Sequence, residues 1–474
     1  MQFLFITFMG LGGTPVADAV ARVERAYAVD RLLAAKTVRL EEELRMPFAG
    51  HDYSAGFHDL AAQRRVHVLD LKGRSGSSEY LTAIGNSHYH ARSVLHGGTF
   101  RFIDYGASTY QDQGSRTFDA HYGATFRASD VLLAVALVQG KDSVRFAGRK
   151  MWLGRTHDAV TFDQAGSPPL TVYIETNTGH ITRMTRTAGN GTVVDYTFDH
   201  HGRDDGIAIA REHSVYARGE PLYFSFGRRL VLNGAEDRDA FHVEKGIPLE
   251  PKRIDTESMS VRAVGHHGHH VGRGETFSTF FQTDSGVVAF GLQAGFAERL
   301  QAYRKKTEIA APLVAAVAAD HQAEDHAGAR DAADAGATLV VTGPAETAIR
   351  EAVGEGPTVE VVTSSRRFGA LTVHALATAH AEQVLVLWQP SSRLLVQSGH
   401  YISPFETAIH YAKFTAFSLR GAVDAKQLKP RSLLSSASAR PETWAAFLSA
   451  VARYDGTACH RNRRICRGWI ALSP

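Results

Sequence analysis

The chain has 474 residues, enough for two or three domains, and its 44% hydrophobic and 21% charged content is ordinary globular composition, neither disordered nor fibrous. Its 52 basic residues against 49 acidic leave +3, but four arginines fall in the last nineteen residues and the remainder balances at 48 against 49; neither a nucleic-acid-binding stripe nor a membrane-surface patch is expected. Two cysteines exclude a disulfide framework and any multi-cysteine metal site, whereas 24 histidines make metal chemistry worth seeking.

Gln2 to Leu11 is an apolar run too short to span a bilayer. It is followed by small residues and Ala17-Asp18-Ala19, which has the A-x-A form of a signal-peptidase site, although no Lys or Arg precedes Arg22. Residues 1–19 read as a signal peptide and the protein as periplasmic or secreted; if the run is instead a buried strand, the protein is cytoplasmic. No later segment holds 18 uninterrupted apolar residues, so no transmembrane helix is expected.

Ala17 to Lys36 has helical spacing, with Val20, Val23 and Tyr27 on one stripe. From Thr37 to about Pro251 short alternating runs predict strands, among them Arg65–Leu69, Ser143–Ala147, Thr192–Phe198 and Ala208–Tyr216. Thr171–Glu175 and His180–Thr185 flank Asn177-Thr178-Gly179 as a hairpin. Only Ser129 to Leu137 reads as an inserted helix, so residues 20–255 are expected to be a curved antiparallel β domain. Glu250-Pro251-Lys252-Arg253 reads as a linker.

Residues 256–455 change character. Phe277–Phe281 and Val287–Phe290 flank the Asp284-Ser285-Gly286 turn, and a helix over Ala297–Lys306 leads to a strand at Leu313–Ala318. Helices near Ala327–Ala335, Ala345–Val353 and Glu442–Val451 interleave with strands at Thr338–Val341, Thr358–Val362, Leu371–Ala377, Val384–Trp388 and Arg393–Val396. The pattern predicts an α/β sandwich, making the whole chain an α+β, two-domain protein. Residues 456–474 form a basic tail, with Cys459 and Cys466 able to close a loop in an oxidising compartment; an unstructured extension is the preferred reading.

The chemistry concentrates in Ala318-Ala319-Asp320-His321-Gln322-Ala323-Glu324-Asp325-His326-Ala327-Gly328, at the end of an apolar strand where a rigid element aims polar side chains into a crevice. This segment resembles the H-x-H-x-D-H signature of the metallo-β-lactamase fold, with His321, Asp325 and His326 matching and Ala323 in place of the second His. Ala379-His380-Ala381 is similar to the family's next ligand segment, and Leu394 to His400 to the strand that ends in its bridging Asp. Over roughly Ser258 to Tyr454, the resemblance implies an αββα sandwich and metal-assisted hydrolysis.

The departures cut into that implication. The bridging Asp falls at Gly399 or His400, and Ser435-Ser436-Ala437-Ser438 occupies the place of the last His. The implied ligands are therefore His321, Asp325, His326 and His380, with His400 as a fifth, for one zinc ion or none; Asp325 would also orient the attacking water. The alternative is a non-catalytic protein that binds a small-molecule or lipid-like ligand. The first half is weakly similar to the half-barrel of periplasmic lipoprotein carriers, with aromatics such as Phe100, Phe118, Tyr122 and Phe198 either lining a ligand surface or filling a core.

Other histidines read more plainly. Gly265-His266-His267-Gly268-His269-His270 is an exposed loop or the source of a replacement ligand. His88 and His90 share a strand face, with His96 nearby, and Asp199 to Asp205 reads as a polar turn. No nucleophile elbow, P-loop or dinucleotide fingerprint occurs.

Overall fold

The structure is a computed structural model describing residues 15–47, 53–54, 60–84, 87–106, 108–164, 168–189, 191–249, 258–379, 381–401, 413–453 and 463–466. Within it, thirteen strands between Val38 and Leu232 make one antiparallel sheet. Two meanders run outward from a central pair, Val38–Pro47 against Glu220–Leu232. Strands from Leu60–Asp70 to Thr109–Ser115 extend one side, and those from Ile207–Ala217 back to Arg145–Trp152 extend the other.

Helices Pro15–Tyr27, Val29–Ala34, Phe118–Arg127 and Asp130–Gln139 pack on this sheet. Val20, Val23, Tyr27 and Leu132 meet Leu40, Leu69, Val172 and Ile209 in one core, and Phe100, Phe118, Tyr122 and Phe198 belong to it. These aromatics fill space. The single helix expected over Ala17–Lys36 is two, because Ala28 takes a left-handed conformation (φ 43°) that interrupts the ladder. A helix over Phe118–Arg127 was not expected; Thr117 accepts from Ala120 N at 3.3 Å to cap it. Asp199 to Asp204 is ladder rather than turn, since Val193–Asp204 pairs with Ile207–Ala217 through Asp204↔Ile207. At the expected hairpin, Gly179 has φ 74° and a Cβ there would lie 2.6 Å from Arg22 O, so glycine is required twice over.

Asp130, at the start of the helix Asp130–Gln139, is fully buried against the first sheet. It accepts from Arg228 Nη1 at 2.9 Å, Ala210 N at 2.8 Å and Tyr27 Oη at 3.3 Å. Tyr27 Oη in turn accepts from Ile181 N and lies 3.4 Å from His201 Nε2.

The remaining described strands form a seven-stranded sheet, from Ser260–Val264 to Val359–Val361, and a six-stranded sheet, from Ser365–Phe368 to Glu442–Thr443. Val288, Phe290, Ala315 and Val317 of the first share a core with Val373, Leu385, Leu387 and Val396 of the second. Their alternate neighbours face outward. Val287, Ala289 and Ala316 meet helices Phe296–Thr307, Ala329–Asp334 and Glu346–Val353, while Val384, Val386 and Leu395 meet Lys413–Ala425 and Trp444–Arg453. The layers are α/β/β/α. Strands buried on both faces read as unbroken apolar runs, which is why these were legible.

In the His-rich segment, Gly265-His266-His267 is the exposed turn of a hairpin, and Gly268, His269 and His270 belong to its second strand, Gly268–Arg273, paired with Ser260–Val264. Glu442–Thr443 is an edge strand and the last long helix begins only at Trp444. Linker residues 250–253 lie outside the described residues. Ala17-Asp18-Ala19 lies within the first helix, with Ala19 buried, and no helix of the described residues is long and apolar enough to cross a membrane.

The tail corrects another expectation. Its described residues, Arg463–Cys466, are no loose extension: Ile465 is 3% exposed, Arg463 pairs with Glu79 and Glu244, and Arg64 donates to Ile465 O at 2.9 Å. Cys466 is disulfide-bonded.

Candidate functional site

The strand Leu313–Val317 delivers the chain into the fully buried Asp320, whose Oδ1 accepts from Gln322 N at 2.8 Å and turns the backbone. One helical turn follows, Ala323–His326. Beyond it stands Gly328, where a Cβ would lie 2.5 Å from Gln293 O. This turn buries Asp325 against Asp320 and Ser398, and Ser398 Oγ donates to Asp325 Oδ1. Burial and then the charge of Asp320 push the Asp325 carboxyl well above the usual carboxylate range. Both effects favour the protonated form of Asp325.

The far wall of this crevice comes from the end of the strand Leu394–Gln397. Gln397 Oε1 accepts from His400 N at 2.8 Å and its Nε2 donates to Tyr401 O at 2.7 Å, folding the turn back on itself. Ser435 Oγ donates to Ser398 O at 2.5 Å, and Ser436 N to Gln397 O at 2.9 Å. His400 is 1% exposed, with Nε2 3.2 Å from Thr378 Oγ1.

Of the residues singled out in the sequence, Asp325 is thus held by Asp320 and Ser398, and His400 by Thr378. His321 and His326 sit half-buried at either end of the turn, and His380 lies outside the described residues. Among the described residues no three of His, Cys, Asp and Glu come together as a metal-binding group. The Asp325 carboxyl is already engaged within the protein, accepting from Ser398 Oγ and lying against Asp320. Asp320, Ser398, Gln397 and Thr378 were not singled out. Their common signal is a polar residue at or just beyond the end of an apolar strand.

The histidine hairpin is structural. His270 is fully buried, its Nε2 donating to Ser438 O at 2.7 Å and its Nδ1 facing Thr279 Oγ1 at 2.9 Å. Burial pushes its pKa down to about 4, so it is a neutral tie rather than a spare ligand. Replacing it (His270→Ala) strips Ser438 O and Thr279 Oγ1 of that partner, and a loss of about 1–3 kcal/mol in urea unfolding is expected. His90 is also committed, with Nε2 2.8 Å from Glu79 Oε1, and His96 Nδ1 lies 3.0 Å from Ser75 Oγ.

A cavity of about 810 Å³ opens on the thirteen-stranded sheet. Cross-strand partners Arg39↔Val68↔Ser77 and Val66↔Glu79↔Arg92 place these side chains on one face. Residues 236–245 return over that face, with Arg39 Nε donating to Asp237 Oδ1 at 2.8 Å, and Arg463 and Ile465 close the wall. The site is charged. Nothing in the alternating runs revealed it, because its fourth wall arrives from the tail.

No family model matches the chain, and no curated protein matches it. Among solved structures it is similar to a metallo-β-lactamase from Hirschia baltica, at 13% identity and a TM-score of 0.33 over 41% of this chain and 97% of that one. A flavodiiron core from Synechocystis matches at 9% identity and a TM-score of 0.34, covering 43% of this chain and 62% of that one. A DUF1329 family protein from Desulfovibrio piger matches at 11% identity and a TM-score of 0.31, covering 48% of this chain and 98% of that one. At these scores the matches decide nothing, and the architecture rests on the sheet orders and cores described above.

Proposed function

We propose that this chain is a non-catalytic, ligand-binding protein built on a metallo-β-lactamase-like αββα sandwich whose hydrolytic centre has been replaced by an internal hydrogen-bond network. The observation that carries the reading is the engagement of Asp325 by Ser398 and Asp320. A catalytic zinc needs three protein ligands and an open position for water, and the residue best placed to supply one is spent elsewhere. The helix-packed core of the first sheet is filled by its own side chains and its cavity is charged, which favours a polar small molecule over a lipid. An exported location belongs to the same proposal, supported by the apolar run before Gly12 and the disulfide at Cys466.

The half-buried positions of His321 and His326 favour a second reading, a hydrolase with a single metal. Metal analysis separates the two. Untagged protein, dialysed against chelator and then zinc, is expected to hold under about a tenth of an equivalent by mass spectrometry. One equivalent or more, lost in a His321→Ala/His380→Ala double variant, would overturn the non-catalytic reading.

A further inference from the structure

The Arg463 side chain sits in a receptor more complete than a surface latch requires. Its Nε donates to Glu79 Oε1 at 2.8 Å and its Nη2 to Glu79 Oε2, the two-pronged grip that a planar guanidinium makes with a carboxylate. The third prong, Nη1, donates to Glu244 Oε1 at 2.6 Å, and the cationic carbon stands 5.4 Å from the centre of the Tyr105 ring. Tyr105 is itself fixed, donating to Glu244 Oε1 at 2.6 Å and stacking on His90 at 4.2 Å, while His90 braces Glu79.

These groups belong to the first sheet and its return loop; the guanidinium comes from 384 positions along the chain. The grip leaves capacity unspent. Beside Arg463 lies the cavity of about 810 Å³, far larger than one side chain needs. An acceptor among its lining residues, Glu244 Oε2, is itself buried without a hydrogen-bond partner among the described residues. Such atoms are costly to leave unmade.

We propose that this cavity is a binding site for small organic cations bearing a guanidinium group, and that Arg463 occupies it in cis as a tethered competitor. A guanidinium is specified over an ammonium because only a planar fork meets both oxygens of Glu79 at once. The inference deepens the ligand-binding reading, yet the two fail separately: zinc in the crevice would end the non-catalytic reading and leave this site standing.

The test uses the full chain carrying Arg463→Ala, with agmatine as probe and cadaverine, a diamine of similar length, as control. Millimolar agmatine is expected to raise the melting temperature of the variant and cadaverine to leave it unchanged, with calorimetric affinity for agmatine about tenfold or more above that of the wild type. Adding Glu79→Gln should abolish the preference for agmatine. Equal responses to the two amines, or no binding by the variant, would overturn the proposal. Should Arg463→Ala not fold, the wild type still decides: agmatine must speed hydrogen exchange at Arg463–Cys466 by displacing the tail, and unchanged exchange would overturn the proposal.

Discussion

Replacing Asp130 by alanine is expected to cost the protein about 3–5 kcal/mol, because it takes from the buried Arg228 guanidinium the closer of the two carboxylates it faces among the described residues, leaving Glu42 Oε2 at 3.6 Å from Nε. Asp130 is fully buried and Arg228 is 3% exposed, so water cannot take over. The loss spreads further than one pair. Asp130 Oδ2 also satisfies Ala210 N inside the ladder and receives Tyr27 Oη from the first helix, so the substitution unties a helix, two strands and a helix start together. Burial and the nearby carboxylate raise the Tyr27 phenol well above its usual range, keeping it a neutral donor in this network. Urea unfolding of Asp130→Ala against wild type measures the effect. Asp130→Asn, which keeps the shape and loses the charge, should recover only part of it. A loss under about 1 kcal/mol in the alanine variant would show that the network contributes no more than an exposed ion pair.

Acidification from neutrality is expected to raise the stability that Asp325 contributes to the α/β/β/α part of the molecule, while His270, whose pKa is held down to about 4, pulls the other way. Burial and the Asp320 charge raise the Asp325 carboxyl, so the folded state keeps a proton that the unfolded chain releases above about pH 4. Where the folded state binds more protons, stability falls as pH rises. The contribution is complete below the unfolded pKa and is lost on the way up to the folded one, with a slope of about 1.4 kcal/mol per pH unit for one proton. Glu79 works in the opposite sense. Burial alone would raise it, but hydrogen bonds from Arg463 and His90 bring it down to about 2, so its contribution is complete above the unfolded pKa of about 4.3 and is lost between there and about 2. The two windows meet at about pH 4. Urea unfolding at a series of pH values isolates the Asp325 part as a difference: the stability of wild type relative to Asp325→Asn should fall as pH rises above about 4, and a difference that does not change with pH would refute the raised carboxyl.

The strands that sequence reading located best are those in the middle of a layer. Val287–Phe290, Leu313–Ala318 and Val384–Trp388 contact a core on both faces, so their apolar runs carry no competing signal. Two short elements were missed for the converse reason: the edge strand Ser365–Phe368 and the inner strand Ser432–Ser435 hold arginine or serine, which reads as loop. Gly268–Arg273 was hidden by its histidines, although His270 behaves there as a small aromatic stacked on Phe277. In the crevice, the segment from Asp320 to His326 was found from its place at a strand end. What Asp325 does was not, because it depends on Ser398, 73 positions away, and serine carries no motif of its own.

The central pair of the thirteen-stranded sheet sets the order in which that sheet can be finished during synthesis. Val38–Pro47 emerges early and finds Leu60–Asp70 on one side, but its other partner, Glu220–Leu232, is among the last strands of the sheet to be made. At a ribosomal rate of roughly 5–20 residues per second, the gap lasts on the order of ten seconds or more. For that interval the strand presents a row of unpaired backbone donors and acceptors in the crowded exit environment. The growing chain therefore passes through an open half-sheet that a holding chaperone, or an unwanted neighbour, can reach before its own thirteenth strand does.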